Sequence, residues 1–252
     1  MTFKAGYFRP AGVEEAMALK AEMGRHAFFG CGLTAAQLAW RDGRPDATLV
    51  DISALDLGPD ATLCDDGSLV IAANARLERL RLNPIITGNL PVLAGFLRFL
   101  GSTAVRNQAS LGGNLLWGSG DLEVLFSALD ARLSFAGIDG DFALDDRHCA
   151  GADALLVAVI VPPLRGSRVF AEKLGHRQAF SPSQLVVAGC VEGGIATLAV
   201  RYAGHAVSLA SWPFSGPLPV SLFPQAADAH LKAAATNMLR GYLGAAARPD
   251  AA

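Results

Sequence analysis

The sequence predicts an α+β fold: two mixed α/β subdomains followed by a small antiparallel sheet backed by a helix. Three observations carry this. A strand, a glycine turn, a helix and a second strand succeed one another between Ala27 and Ile52. A hairpin signal, Asp65-Asp66-Gly67-Ser68, then stops the parallel winding. Beyond Pro162-Pro163 and Gly166, two β-rich segments joined by Gly193-Gly194 precede an alanine-rich helical tail. Boundaries drawn at these changes give subdomains 1–56 and 57–163 and a C-terminal domain 167–252.

In the first subdomain, Val13, Ala16 and Met17 fall on one helical face, with Glu14 and Glu15 in the first turn, where the helix dipole favours acids. Ala27, Phe28 and Phe29 form an apolar strand ending in Gly30-Cys31-Gly32. A helix runs from Thr34 to about Trp40, and Thr48–Ile52 is the next strand. The helical crossover implies a parallel pair. In the second subdomain, strands Ala61–Cys64 and Leu69–Ala73 flank the hairpin turn. Helices follow from about Arg76 to Leu80 and from Asn89 to Leu100, the latter with Leu93, Phe96, Leu97 and Leu100 on one face. Asp121 reads as the N-cap of a helix carrying Leu122, Leu125, Phe126 and Leu129. Strands are expected at Arg132–Ala136 and Leu155–Val161, with loop or edge structure over Asp139–Asp153. The last domain reads as strands Gln184–Glu192, Ile195–Tyr202 and Ala206–Ala210, a helix over Ala226–Leu243 and a frayed end.

Composition narrows the function. Hydrophobic residues make up 52% of the chain and charged ones 17%, which predicts a large core, an extensive subunit interface, or both. No run approaches the ~18 apolar residues of a membrane span. A net charge of −2 without a basic stripe argues against nucleic acid as the main partner. The start carries no basic and apolar leader pattern, so the cytoplasm is the expected location. Cys31, Cys64, Cys149 and Cys190 are scattered, and neither they nor the five histidines show metal-ligand spacing.

Two glycine segments are the candidate binding elements. Val105–Asp121, VRNQASLGGNLLWGSGD, joins small residues and a glycine pair to a helix start, so backbone N–H groups there can approach a ligand closely. Gly30-Cys31-Gly32-Leu33-Thr34-Ala35 matches G-x-G-x-x-A, with Asp51 21 residues beyond Gly30, as in a dinucleotide-binding fingerprint. The hairpin directly after Asp51 departs from the further β-α units of that fold. A plain strand-to-helix turn remains the alternative for either segment.

Taken in order, FRP with a short helix, a glycine turn after a paired-Phe strand, a hairpin, VRNQASLGGNL, and DLEVLFSALDARLSF resemble the FAD-binding medium subunit of molybdenum hydroxylases, the xanthine dehydrogenase and carbon monoxide dehydrogenase group. The resemblance implies a PCMH-type FAD-binding domain made of the first two subdomains. By position, the backbone around Gly30, Cys31 and Gly32 and the Gly112-Gly113-Asn114 loop would hold the pyrophosphate and adjoining sugar groups. Ser110 and Asn114 would donate hydrogen bonds, and Leu33, Thr34 and Ala109 would adjoin the cofactor, with Thr34 supplying the hydroxyl. Asp121 would accept from a sugar hydroxyl, Leu100 and Gly101 would pack by the cofactor, and Lys173 would reach the isoalloxazine region. The first glycine site departs from the usual Ala-Gly-Gly-Thr text at Leu33. The second is about two residues shorter before Asp121, with Trp117 in place of a small polar residue.

The implied function is electron transfer. A large molybdenum-cofactor subunit would oxidise the substrate, and a small iron–sulfur subunit would relay electrons to FAD in a heterotrimer. NAD or another acceptor would then receive them, with no side chain of this chain acting as a catalytic acid or base. Two alternatives remain: a flavoprotein oxidoreductase of the vanillyl-alcohol oxidase or UDP-N-acetylmuramate reductase type, and a scaffold relative that has lost its flavin.

Overall fold

The computed structural model describes residues 6–40, 43, 46–151, 153–177, 181–225 and 227–246. It is an α+β fold built on three sheets. The first has order β1-β3-β2, from β1 (Tyr7–Phe8), β2 (Ala27–Gly30) and β3 (Thr48–Asp51), and both pairings are parallel. Helix α1 (Val13–Met23) and the short α2 (Thr34–Ala39) make the crossovers. Strand β1 is absent from the sequence expectation because its two residues are exposed and show no alternation.

The second sheet is wholly antiparallel, in the order β4-β5-β8-β6-β7. Its strands are β4 (Ala61–Leu63), β5 (Leu69–Ala72), β6 (Arg132–Phe135), β7 (Asp141–Ala143) and β8 (Leu156–Val161). Between β5 and β6 the chain makes six helices: α3 (Leu77–Leu82), α4 (Pro84–Asn89), α5 (Pro91–Leu97), α6 (Thr103–Arg106), α7 (Leu111–Leu116) and α8 (Asp121–Ala128). The short α4, α6 and α7 are missed by periodicity because each is a turn or two fixed by a cap. Asn83 accepts from the Ile85 and Ile86 N–H groups, Ser102 from Val105, and Ser110 from Gly113. Gly112 and Gly113 therefore stand in a helix, where the sequence reading has a loop.

The third sheet runs β12-β11-β10-β9, all antiparallel, from β9 (Arg168–Gly175), β10 (Ser183–Glu192), β11 (Ile195–Tyr202) and β12 (Ser208–Pro213). Helix α9 (Ala229–Ala246) packs on it through Ala235 and Leu239. The expected helix start at Ala226 and the chain end from residue 247 lie outside the described residues. Among the described residues, no helix is long and apolar enough to cross a membrane.

The main core gathers Ile71, Leu80, Leu93, Leu97, Leu125, Phe126 and Val159 from the second sheet and its helices. It also takes in Val186, Ala188 and Ala199 from the third. A buried ion pair braces the helices. Glu78 on α3 accepts from Arg106 on α6 at 2.5 Å and from Arg81 at 2.5 Å, while Arg106 also donates to the Gly101 carbonyl at 2.8 Å. Hydrogen bonding from Arg81, then Arg106, holds the Glu78 carboxyl down at about 2 against an ordinary 4.5. A carboxyl depressed in the folded state adds stability above its unfolded value and loses it as pH falls through the folded one. The stability gap between wild type and Glu78→Gln should therefore be full near neutral pH and close between pH 4.5 and about 2 in urea melts. A gap that stays constant over that window would refute the assignment.

Candidate functional site

The turn after β2 and the N-terminal end of α7 face each other across a cavity of about 420 Å³, within the range of small-molecule sites. From the first segment Gly30, Cys31, Leu33 and Thr34 line it, followed by Ala35 and Ala36 in the first turn of α2. From the second come Ala109, Ser110, Gly112, Gly113, Asn114 and Trp117. Phe28, Phe29, Trp40, Ile52, Ala73, Leu116, Ala154, Leu155 and Leu156 complete the wall. Most of these apolar residues are legible in the sequence as strand and helix positions but carry no signal of a site.

Local bonds fix both segments. Leu33 takes a left-handed conformation at φ 53° and opens α2, whose first N–H groups have no intrahelical acceptor. The Ser110 hydroxyl caps α7 by accepting from the Gly113 N–H at 3.2 Å. The Asn114 side-chain carbonyl accepts from the Leu122 N–H at 3.0 Å, tying α7 to α8. The Cys31 thiol donates to the Asn74 carbonyl at 3.9 Å. Burial pushes that thiol up, and Ser110 and Arg76 pull it partly back.

Five residues named from the sequence stand away from the wall. Gly32 packs against Gln108: a Cβ there would lie 2.0 Å from the Gln108 carbonyl oxygen. Leu100 and Gly101 close the end of the α5 segment, where their carbonyls accept from Arg106. Asp121 is the first residue of α8 rather than its cap, which is Gly120. Its Oδ1 accepts from Arg201 at 2.7 Å, and its Oδ2 accepts from Lys173 at 3.0 Å and from the Ser183 hydroxyl at 2.7 Å. A carboxylate that is only 7% exposed needs such compensation, so both oxygens and the Lys173 ammonium are already engaged. Asp51 is likewise occupied, accepting from the Tyr7 hydroxyl at 2.6 Å and the Ser53 N–H at 2.9 Å.

The wall suits a ligand with flat rings and a phosphate bridge. Phe28 and Trp40 meet edge to face at 5.8 Å on one side, and Trp117, 44% exposed, stands on the other. Small residues lie between, with the first N–H groups of α2 beside them. Among the described residues, the wall has no lysine or arginine.

Residues 2–164 match the family model described as the FAD binding domain in molybdopterin dehydrogenase. The chain belongs to that family. It is therefore an FAD-binding oxidoreductase component, and the cavity's donors and rings fit the family's cofactor. A search of curated proteins finds no match. Among solved structures, this FAD-binding chain is similar to one from the carbon monoxide dehydrogenase of Hydrogenophaga pseudoflava, with a TM-score of 0.81 at 21% identity and 98% of each chain covered. It is similar to a chain of quinoline 2-oxidoreductase from Pseudomonas putida 86, with a TM-score of 0.71 at 21% identity, covering 83% of this chain and 78% of that one. A chain of CO dehydrogenase from Oligotropha carboxidovorans gives 0.72 at 20% identity, covering 82% and 78%. At these identities the likeness is one of fold, and it extends through the C-terminal sheet that the family model leaves out.

Proposed function

We propose that the chain is the FAD-carrying electron-transfer subunit of a molybdenum hydroxylase complex. In this reading it takes electrons from iron–sulfur clusters of a small partner subunit and passes them to NAD or another acceptor. A large molybdenum-cofactor subunit oxidises the substrate. The observation that carries the reading is the convergence of both glycine segments, with aromatic side chains, on one cavity in an FAD-binding family member.

Bound FAD supplies the redox chemistry that the side chains lack. The chain's own residues do the holding. Gly30, Cys31, Leu33 and Thr34 on one side and Ala109, Ser110, Gly113 and Asn114 on the other are the proposed cradle, with Trp117 against a ring. Asp121 and Lys173 serve it indirectly in this proposal, by fixing the start of α8 behind Asn114. The division at 56–57 and 163–167 is supported by the sheets, each of which draws its strands from one segment. Exposed Tyr7, Phe8, Leu82, Phe99 and Val105 support large partner contacts.

The purified chain mixed with FAD and passed through gel filtration should keep oxidised-flavin absorption and show quenched emission from Trp40 and Trp117. A featureless spectrum with unchanged emission would sink the reading. It would favour a scaffold without flavin, a reading supported by a wall that, among the described residues, has no lysine or arginine.

A further inference from the structure

We infer that Arg76 is the counter-charge for the diphosphate of the dinucleotide held between the two glycine segments. The inference rests on the cofactor site proposed above. A diphosphate brings two negative charges to a wall that offers N–H groups but, among the described residues, no cation. The guanidinium of Arg76 lies at the seam between the segments.

The backbone around Arg76 is sewn to the second segment. Leu77 N–H donates to the Ala109 carbonyl at 3.0 Å, Leu111 N–H donates to the Ala75 carbonyl at 3.0 Å, and Arg76 pairs with Ser110 in an isolated antiparallel bridge. The side chain reaches the first segment. Its Nη1 donates to the Gln108 carbonyl and lies 2.8 Å from where a Cβ on Gly32 would stand. One guanidinium thus touches both segments that frame the cavity.

Its charge is also uncompensated. Buried Arg106, Lys173 and Arg201 each face a carboxylate within 3.0 Å. Among the described residues, no carboxylate oxygen lies within ion-pair distance of Arg76. A guanidinium held by a carbonyl keeps N–H groups free in a fork that matches phosphate oxygens. Its field already reaches the wall, where it counts among the influences lowering the Cys31 thiol against burial. Arg76 is invisible as a site residue in the sequence because it lies outside both glycine segments, just before α3.

The test compares ligands with and without phosphate on the full chain. Arg76→Gln keeps a donor for the Gln108 carbonyl and removes the charge, and Arg76→Lys keeps the charge. Fluorescence titration should show FAD affinity falling about tenfold or more in Arg76→Gln, riboflavin affinity changing less than about twofold, and Arg76→Lys lying between wild type and Arg76→Gln for FAD. Inorganic pyrophosphate should raise the melting temperature of wild type and of Arg76→Lys more than that of Arg76→Gln. An unchanged FAD affinity, equal losses for FAD and riboflavin, or equal pyrophosphate shifts, zero included, would overturn the inference. Wild type that binds no FAD would instead overturn the site itself, so the two failures are distinguishable.

Discussion

Replacing Asp121 with alanine should cost about 3–5 kcal/mol of stability, the usual penalty for leaving a buried charge without its partner. Two buried cations would lose this carboxylate at once. Lys173 and Arg201 have side chains only 7% and 8% exposed, and both point at this carboxylate. Arg201 would retain the Gly120 carbonyl at 2.7 Å and a more distant Glu123 at 3.8 Å, but Lys173 has no second carboxylate among the described ion pairs. Asp121→Asn, which keeps an acceptor of the same shape, should lose less. Urea unfolding measures both. A loss below about 1 kcal/mol for the alanine variant would mean that the pairs behave as exposed surface bridges. Because these bonds run from α8 to β9, β10 and β11, the same variant should also loosen the attachment of the C-terminal sheet.

Gly32→Ala should lower stability and abolish FAD retention together. Gly32 has φ +79°, a conformation that costs an L-residue about 1–2 kcal/mol. The added Cβ would also press on the Gln108 carbonyl oxygen at 2.0 Å and on the Arg76 guanidinium at 2.8 Å. Overpacking of this kind costs about 1–3 kcal/mol more. Gln108 cannot retreat freely, because its own N–H donates to the Val105 carbonyl at 3.0 Å and that of Ala109 does so at 2.8 Å. The seam must open instead, parting the two glycine segments. Gly118→Ala is the control: its φ is +82° but nothing lies within 4 Å of its Cβ position, so it should show the backbone penalty without the seam effect. Equal melting and equal FAD binding in the two variants would refute the role of close packing at Gly32.

Most of the architecture was legible in the sequence because its signals are local. The Ala27–Phe29 strand, the hairpin at Asp65–Ser68 and the Gly193-Gly194 turn announce themselves through alternation and turn chemistry, and each stands where expected. Strand β9 was not legible: its residues are half-buried at a sheet edge, which gives no alternation. The candidate site divides in the same way. Small residues betrayed the two glycine segments, and nine of the fourteen residues singled out there and beyond meet at the cavity. Asp121 and Lys173 were named for a ligand but turned toward each other, since a carboxylate and an ammonium 52 positions apart give no sign of pairing until the third sheet is docked. Arg76 went unnoticed for the same long-range reason.

Strand β10 is a partition wall. Val186, Ala188 and Cys190 face the main core, while Leu185 and Val187 face the core under α9. With greasy residues on both sides, polarity gives little guidance about which way the strand should be threaded, and a slip by one residue would exchange the two faces. Gly189 supplies the missing index mark. Any side chain in its place would strike the Phe170 ring and Leu198 at 2.5 Å. The strand can therefore slot home in only one alignment, like a key with a single notch.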